Sequence, residues 1–396
     1  MKIKNVEVVN VNQSLWGSFW EAQRKAPSST PLSRYKEYAG SLDSWWWPQA
    51  MVLVRIEASN GVSGIGWAED GTGAAANVIN THFKQLLIGK DPSEIIKIWD
   101  VLFRASIPYG RKGIAIEAIS AVDIALWDLK GKQLNVPVYK LLGGTNNEGM
   151  KTYASHLQPV EMDLFKEEAK AYVEEGYQAM KMRMPGNPKH GLAGINRNVE
   201  RIEAVREAVG NDIEIMADAY MGWNLSFAKR MMDAIKPYHV SWIEEPLLPD
   251  ELEMYSELCR YSPVPVSHGE NEFTRYGFAQ IISAKAADIL QPDVHRVGGI
   301  TEIIRVAHLA EVAGLEIVPH AFSAPTVHAM AAIPNCRMLE VLTIPVWARD
   351  KIKEMPPVFL GEPKSENGIV YASNDPGLGV KINCDLLPDL KHWNDQ

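Results

Sequence analysis

The sequence predicts an α/β protein, a (β/α)8 barrel preceded by a small α+β domain. Three observations carry this expectation. After Gly143-Gly144, short apolar runs alternate with longer helical stretches, the pattern of a parallel sheet wrapped by helices. Earlier in the chain, Asn60-Gly61 stands between β-branched runs, and because both residues tolerate positive φ it marks a hairpin. Finally, polar residues end successive strand candidates at nearly equal steps: 26 residues from Asp218 to Glu244, 26 to Glu270, 23 to Asp293 and 27 to His320. Each step is the length of one β/α unit.

Composition agrees with a globular protein. Of 396 residues, 46% are hydrophobic and 22% charged, which argues against disorder or a collagen-like repeat. Lys and Arg number 40 against 49 Asp and Glu, and the net charge of −9 disfavours a groove built to track nucleic-acid phosphates. Three scattered cysteines make neither a disulfide framework nor a Cys-rich zinc site, as expected in a reducing compartment. No run approaches the length of a membrane span or an export signal. The expectation is a soluble cytoplasmic protein with a small-molecule partner, no nucleic acid and no membrane.

Residues 1–130 read as the small domain. Lys, Glu and Asn alternate with Val and Ile over 1–11, giving a first strand. Residues 12–48 are polar and aromatic, with Trp16, Trp20, Tyr35, Tyr38 and Trp45-Trp46-Trp47; a connection this long in a compact domain suggests a substrate lid. Strands over 51–58 and 62–67 flank the hairpin turn. Ile116, Ile119, Val122, Ala125 and Leu126 then recur at helical steps, interrupted by Asp123 and Asp128, as in a buried helix. Barrel strands are expected at 152–155, 179–184, 213–218, 240–244, 264–268, 288–293, 316–320 and 338–341, within a catalytic domain of residues 131–355. The last segment, 356–396, carries Pro376-Gly377, Gly379 and a short strand at 380–382, and is expected to return to the first domain.

Barrels of this kind place their chemistry at the C-terminal rim, where Asp218, Glu244 and Glu270 should converge. Carboxylates held together repel and raise one another's pKa. A divalent cation resolves the conflict, and oxygen ligands favour a hard ion such as one Mg2+ per site. Lys181 and Arg183, two positions apart on one strand, share a face and add positive charge. The alternative is that these acids and bases form a structural ion-pair network. His320, one β/α unit beyond Asp293, reads as a general base whose tautomer a carboxylate fixes. Glu340 either binds substrate or pairs with a rim base. Tyr220, His190, His268 and Trp46 are candidate substrate contacts; the histidines read equally well as solvent-facing or helix-capping residues, as do His295 and His328.

In order along the chain, Lys181-Met182-Arg183, Asp218, Trp242-Ile243-Glu244-Glu245-Pro246, Gly269-Glu270-Asn271, Gln291-Pro292-Asp293, Gly298-Gly299, Pro319-His320 and Leu339-Glu340 resemble the motifs of the enolase superfamily, mandelate racemase subgroup. Residues 120–128 and 138–144 resemble its junction between capping domain and barrel. The resemblance implies a modified (β/α)8 TIM-type barrel with an α+β N-terminal capping domain, and Mg2+ on Asp218, Glu244 and Glu270. It further implies a His320–Asp293 pair that removes a proton α to a carboxylate, and Glu340 against the substrate carboxylate. Within the subgroup the chain is most similar to acid-sugar dehydratases, the rhamnonate branch nearest, through Ser44-Trp45-Trp46-Trp47-Pro48, Val318-Pro319-His320 and the loop over 185–194. Such enzymes turn an aldonate into a 2-keto-3-deoxy acid, and the family commonly forms homo-oligomers. One departure matters: where racemases of the subgroup carry Lys-x-Lys, this chain has Arg183, a poor base. The other readings are a racemase, epimerase or cycloisomerase using the same enolate, and a non-catalytic metal-binding barrel.

Overall fold

The computed structural model describes residues 1–12, 28–38, 50–69, 71–157, 161–320, 322–346, 349 and 357–394. The expected lid tryptophans, Trp46 among them, lie outside these residues. Strands β1 (Ile3–Asn12), β2 (Ala50–Ala58) and β3 (Ser63–Ala68) form an antiparallel sheet in that order. The predicted hairpin joins β2 to β3, with Gly61 at φ +91° and the Ala58 N–H donating to Val62 O at 2.9 Å. Helix α1 (Ile95–Ser106) packs against helix α2 (Ile114–Leu134), which covers one face of this sheet. The predicted buried helix is therefore real, and it continues unbroken past residue 130. Glycines bring β3 unusually close to it. A Cβ on Gly66 would lie 2.2 Å from Ala121 O and 2.4 Å from Ala125 N, and one on Gly64 would lie 2.1 Å from Ala125 O.

Eight parallel strands follow: β4 (Met150–Leu157), β5 (Ala179–Arg183), β6 (Glu214–Asp218), β7 (Val240–Glu244), β8 (Val266–His268), β9 (Ile289–Leu290), β10 (Glu316–Ile317) and β11 (Leu339–Val341). They pair in sequence from β4 to β10, with β11 beside β4. The ring closes ahead of β11, where Ile317 N–H donates to Asn335 O and Arg337 N–H to Ile317 O. Helices α3 (Met162–Glu174), α4 (Gly191–Val209), α5 (Leu225–Ile235), α6 (Leu252–Tyr261), α7 (Thr274–Ala284), α8 (Gly299–Val312) and α9 (Ala324–Met330) alternate with the strands. Tyr153, Ala179, Met216, Trp242, Ile289, Val318 and Met338 form a buried cluster of their own, the filling of the barrel. Every strand candidate falls on an observed strand, but β9 and β10 are short. Pro292 and Pro319 lack the N–H that would extend these ladders.

The acids that interrupt the apolar pattern of α2 join the two units. Ser120 Oγ accepts the Gly298 N–H at 3.0 Å, Asp123 Oδ2 accepts the Thr301 N–H at 2.9 Å, and Trp127 Nε1 donates to Thr301 Oγ1 at 2.9 Å. These groups satisfy the free N-terminus of α8. Trp99 Nε1 donates to Gly298 O, and Asp128 accepts the Ile65 and Leu378 N–H groups. In the last segment, β12 (Phe359–Leu360) pairs with β14 (Lys381–Ile382), while β13 (Ile369–Val370) pairs with β4. This segment also touches the first sheet: the Phe359 ring centroid lies 4.2 Å from that of Trp67, and His392 Nε2 lies 2.8 Å from Glu7 Oε2. Among the described residues no helix is long and apolar enough to cross a membrane.

Because the β3–α2 contact is backbone on backbone, Gly66→Ala should destabilise the protein by about 3 kcal/mol or more in denaturant unfolding. An unchanged midpoint would mean that the sheet can retreat from the helix.

Candidate active site at the barrel rim

Strand register assembles the site. Arg183, Asp218 and Glu244 are direct partners across β5, β6 and β7. Glu244 pairs with Ser267, so Glu270 lies just past the end of β8. Asp293 and His320 form an isolated parallel bridge beyond β9 and β10, and Glu340 sits on β11 beside β4. All the predicted acids and both predicted bases thus meet at one end of the barrel, each acid at most 6% exposed.

Each predicted acid has a basic partner. Lys181 Nζ donates to Glu244 Oε1 and lies 2.9 Å from Glu340 Oε1, which also accepts from Ser155 Oγ. Gln291 Nε2 donates to the other Glu244 oxygen at 2.6 Å, joined by Trp242 Nε1 at 3.3 Å. Arg183 Nη1 donates to Asp218 Oδ2 at 2.9 Å, and its guanidinium lies 4.4 Å from the centroid of the Tyr220 ring. Tyr220 adopts φ +48°, and its N–H donates to Asp218 Oδ1 at 2.8 Å. Glu270 Oε1 faces Arg296 Nη1 and Asn271 Nδ2, whose second acceptor is Glu245 Oε2 at 2.7 Å.

His320 has the expected neighbour. His320 Nδ1 lies 2.7 Å from Asp293 Oδ2, and Asp293 Oδ1 accepts the His295 N–H at 2.7 Å. An ionised carboxylate only accepts, so Nδ1 carries the proton and Nε2 is the basic nitrogen. Nε2 lies 3.6 Å from Glu270 Oε2. His320 keeps 19% of its side chain exposed at the mouth, although surrounding atoms enclose it. Burial opposes its charge, yet the Glu270 carboxylate and the Asp293 hydrogen bond outweigh burial and raise its pKa to about 9. Burial likewise opposes ionisation of Asp293, but the His320 bond and charge hold its carboxyl well below the usual range.

Six carboxylates (Asp218, Glu244, Glu245, Glu270, Asp293 and Glu340) share this end with three permanent cations, Lys181, Arg183 and Arg296. The excess shows in the titration of the acids. Burial raises Asp218, with Glu270 adding to the rise against Arg183 and Lys181; burial, with Asp218 and Glu340, lifts Glu244 to about 7. Glu245 is pushed well above the carboxylate range, first by burial and then by Glu270. Buried acceptors Glu245 Oε1, Gln291 Oε1 and Glu340 Oε2 meet no donor among the described residues. An all-oxygen donor set with surplus negative charge suits a hard divalent cation. The side chains nevertheless turn toward their own basic partners: among the described residues no three Asp, Glu, His or Cys side chains converge on one point.

The remaining candidates separate. His190 closes a short turn, its Nδ1 accepting the Asn187 N–H, and so fits the capping alternative. His268 is buried and stacks on Tyr255 at 4.1 Å. His295 bridges Trp67 O and Ser323 Oγ, and His328 bridges the Tyr139 N–H and Leu378 O, ties that hold elements together. Described residues of the expected lid dock on the rim through Ser29, whose N–H donates to Met184 O and whose hydroxyl donates to Gly222 O. A cavity of about 570 Å³ lies there, lined by Arg34, Tyr35, Lys189, Met221 and Trp223 among others. Sequence reasoning gave no role to Ser155, Asn271, Gln291 or Arg296. For Arg296 a signal existed, since it follows Asp293 by three positions in the turn before Gly298-Gly299.

Comparison with known proteins agrees with this geometry. The model of the mandelate racemase / muconate lactonizing enzyme N-terminal domain matches residues 46–143, and that described as enolase C-terminal domain-like matches 164–386. L-rhamnonate dehydratase of Saccharopolyspora erythraea is 35% identical over 361 residues, 90% of each chain. The crystal structure of L-rhamnonate dehydratase from Gibberella zeae is similar with a TM-score of 0.86 at 33% identity, covering 97% of this chain and 94% of that one. A structure of rhamnonate dehydratase from the same organism complexed with Mg has a TM-score of 0.85 at 32% identity, covering 98% and 95%.

Asp293→Asn removes the anion that favours the imidazolium. In metal-free protein it should lower the His320 pKa from about 9 by roughly one unit or more, read by NMR titration of the ring. An unmoved pKa would assign the whole effect to Glu270.

Proposed function

Since the chain belongs to the mandelate racemase and muconate lactonizing enzyme family of the enolase superfamily, we propose that it is a Mg2+-dependent acid-sugar dehydratase, a hydro-lyase with L-rhamnonate as its leading substrate. The observation that carries this reading is the His320–Asp293 pair facing a carboxylate-rich rim. The ene-diolate route itself is the superfamily's known chemistry and is inherited.

Asp218, Glu244 and Glu270 are the residues that would hold Mg2+. Bound there, the ion would offset the carboxylate charge that keeps His320 protonated and would supply positive charge for the substrate carboxylate. His320 Nε2 accepts the α-proton while Asp293 keeps Nδ1 oriented and stabilises the resulting imidazolium. The imidazolium then returns a proton to the departing β-hydroxyl, so that one residue serves as base and acid. Loss of water leaves an enol that tautomerises to the 2-keto-3-deoxy acid. Lys181 and Arg183 are fixed cations beside the reacting end. Glu340, held by Lys181 and Ser155, contacts the substrate carboxylate. Tyr220, under the Arg183 guanidinium, is a candidate substrate contact. A racemase of the two-base kind needs a second base where Arg183 stands, and a guanidinium paired with a carboxylate does not release its proton. One-base elimination fits better. The proposal includes a cytoplasmic location and a homo-oligomeric assembly; light scattering of the purified protein reads the latter.

Purified protein with Mg2+ should convert L-rhamnonate, or another aldonate in a panel of sugar acids, to a keto acid that semicarbazide traps. Exchange of the α-proton in deuterium oxide without any keto acid would favour an epimerase instead. His320→Asn should cut that exchange by about 1000-fold while leaving Mg2+ affinity near the parent value. Glu270→Gln should weaken Mg2+ binding roughly tenfold or more by calorimetry; unchanged affinity would remove Glu270 from the ligand set.

A further inference from the structure

One arginine joins the two halves of this site. Arg296 lies one helical turn beyond Asp293, its side chain 16% exposed. Its Nη1 donates to the Glu270 carbonyl at 3.2 Å, to Glu270 Oε1 at 3.4 Å and to Asn271 Oδ1 at 3.3 Å. Its Nε lies 3.6 Å from Asp293 Oδ2, the oxygen that faces His320 Nδ1. From the capping side, Glu117 on α2 adds a further negative charge to its surroundings.

We propose that Arg296 is a positioning residue that sets the spacing of the two carboxylates on either side of His320. Glu270 faces one ring nitrogen and Asp293 the other, from separate loops whose backbones meet at the Gln291 N–H to His268 O and Thr274 N–H to Val297 O bonds, while among the described residues the side chains themselves meet only through Arg296 and His320. The guanidinium ties both, together with the Glu270 backbone. Charge neutralisation alone would need only a lysine. A planar fork can meet several acceptors at once, whereas an ammonium cannot span from Nη1's partners to Asp293. The proposal rests on the dehydratase reading, in which His320 Nε2 must stand at a fixed distance from the α-carbon.

The test uses Arg296→Met and Arg296→Lys with two readouts. In metal-free, substrate-free protein, the low-field proton resonance of the His320 Nδ1–H···Asp293 bond, assigned by its absence in His320→Asn, reports the pair directly. With Mg2+ and substrate, α-proton exchange separates kcat from KM. The expected result for Arg296→Met is a shifted or lost resonance and a kcat lower by about 100-fold. KM should stay within about threefold, and added guanidinium chloride should restore part of the rate. Arg296→Lys should resemble Arg296→Met. An unchanged resonance with near-parental kcat overturns the proposal. So does full recovery in Arg296→Lys, or a loss that tracks unfolding and that guanidinium does not relieve. If Arg296→Met does not fold, Arg296→Lys alone decides by the same two readouts. If the parent protein exchanges no α-proton with any sugar acid, the dehydratase reading fails, while the resonance still decides the role of Arg296.

Discussion

A buried surplus of negative charge at one end of the barrel is the constraint on which the rest depends. Six carboxylates share that end with three permanent cations, and burial there penalises every charge left without compensation. The protein answers with a ring of partners: Lys181 between Glu244 and Glu340, Arg183 on Asp218, Arg296 between Glu270 and Asp293. These pairs do not balance the account, and Glu244 and Glu245 remain pushed toward their neutral forms. The same surplus makes the rim suited to a divalent cation and holds His320 protonated when no cation offsets it. Structural and catalytic electrostatics are therefore one system.

The scaffold makes this possible by register. Arg183, Asp218 and Glu244 are neighbours because they occupy one level of adjacent parallel strands, and Pro292 and Pro319 end β9 and β10 early enough for Asp293 and His320 to turn inward. Below them Trp242, Tyr153 and Met216 fill the barrel and exclude water. Helix α2 fastens the capping sheet to the start of α8, whose preceding turn carries Asp293, His295 and Arg296. The capping unit thus braces the loop whose Asp293 faces His320.

Much of this was legible in the sequence because it repeats. Strands of a parallel barrel are short apolar runs at regular intervals, so all eight were located, and Asp218, Glu244, Glu270, Asp293 and His320 stood out by their spacing. Asp123 and Asp128 show in the sequence as breaks in an apolar pattern and as parts of a junction motif; their task, accepting N–H groups from elements far along the chain, has no periodic signature. The contacts of Arg296, Asn271 and Gln291 have no such signature either, although the last two stand inside recognisable motifs, since their meaning lies across loops. The ion-pair network weighed as an alternative to a metal site is present in the structure, as Lys181 and Arg183 hold two of the three acids. The metal reading therefore rests on the charge that remains uncompensated and on the family's chemistry. His190 and His268 illustrate the opposite limit, because proximity in sequence to rim residues did not say which way their rings would face.

The most direct test is a crystal structure of the protein with Mg2+ and an unreactive sugar-acid analogue. The account predicts a single ion with carboxylate oxygens of Asp218, Glu244 and Glu270 at about 2.1 Å and the analogue's α-carbon against His320 Nε2. An ion bound elsewhere, with Asp218 still on Arg183 and Glu244 still on Lys181, would contradict it.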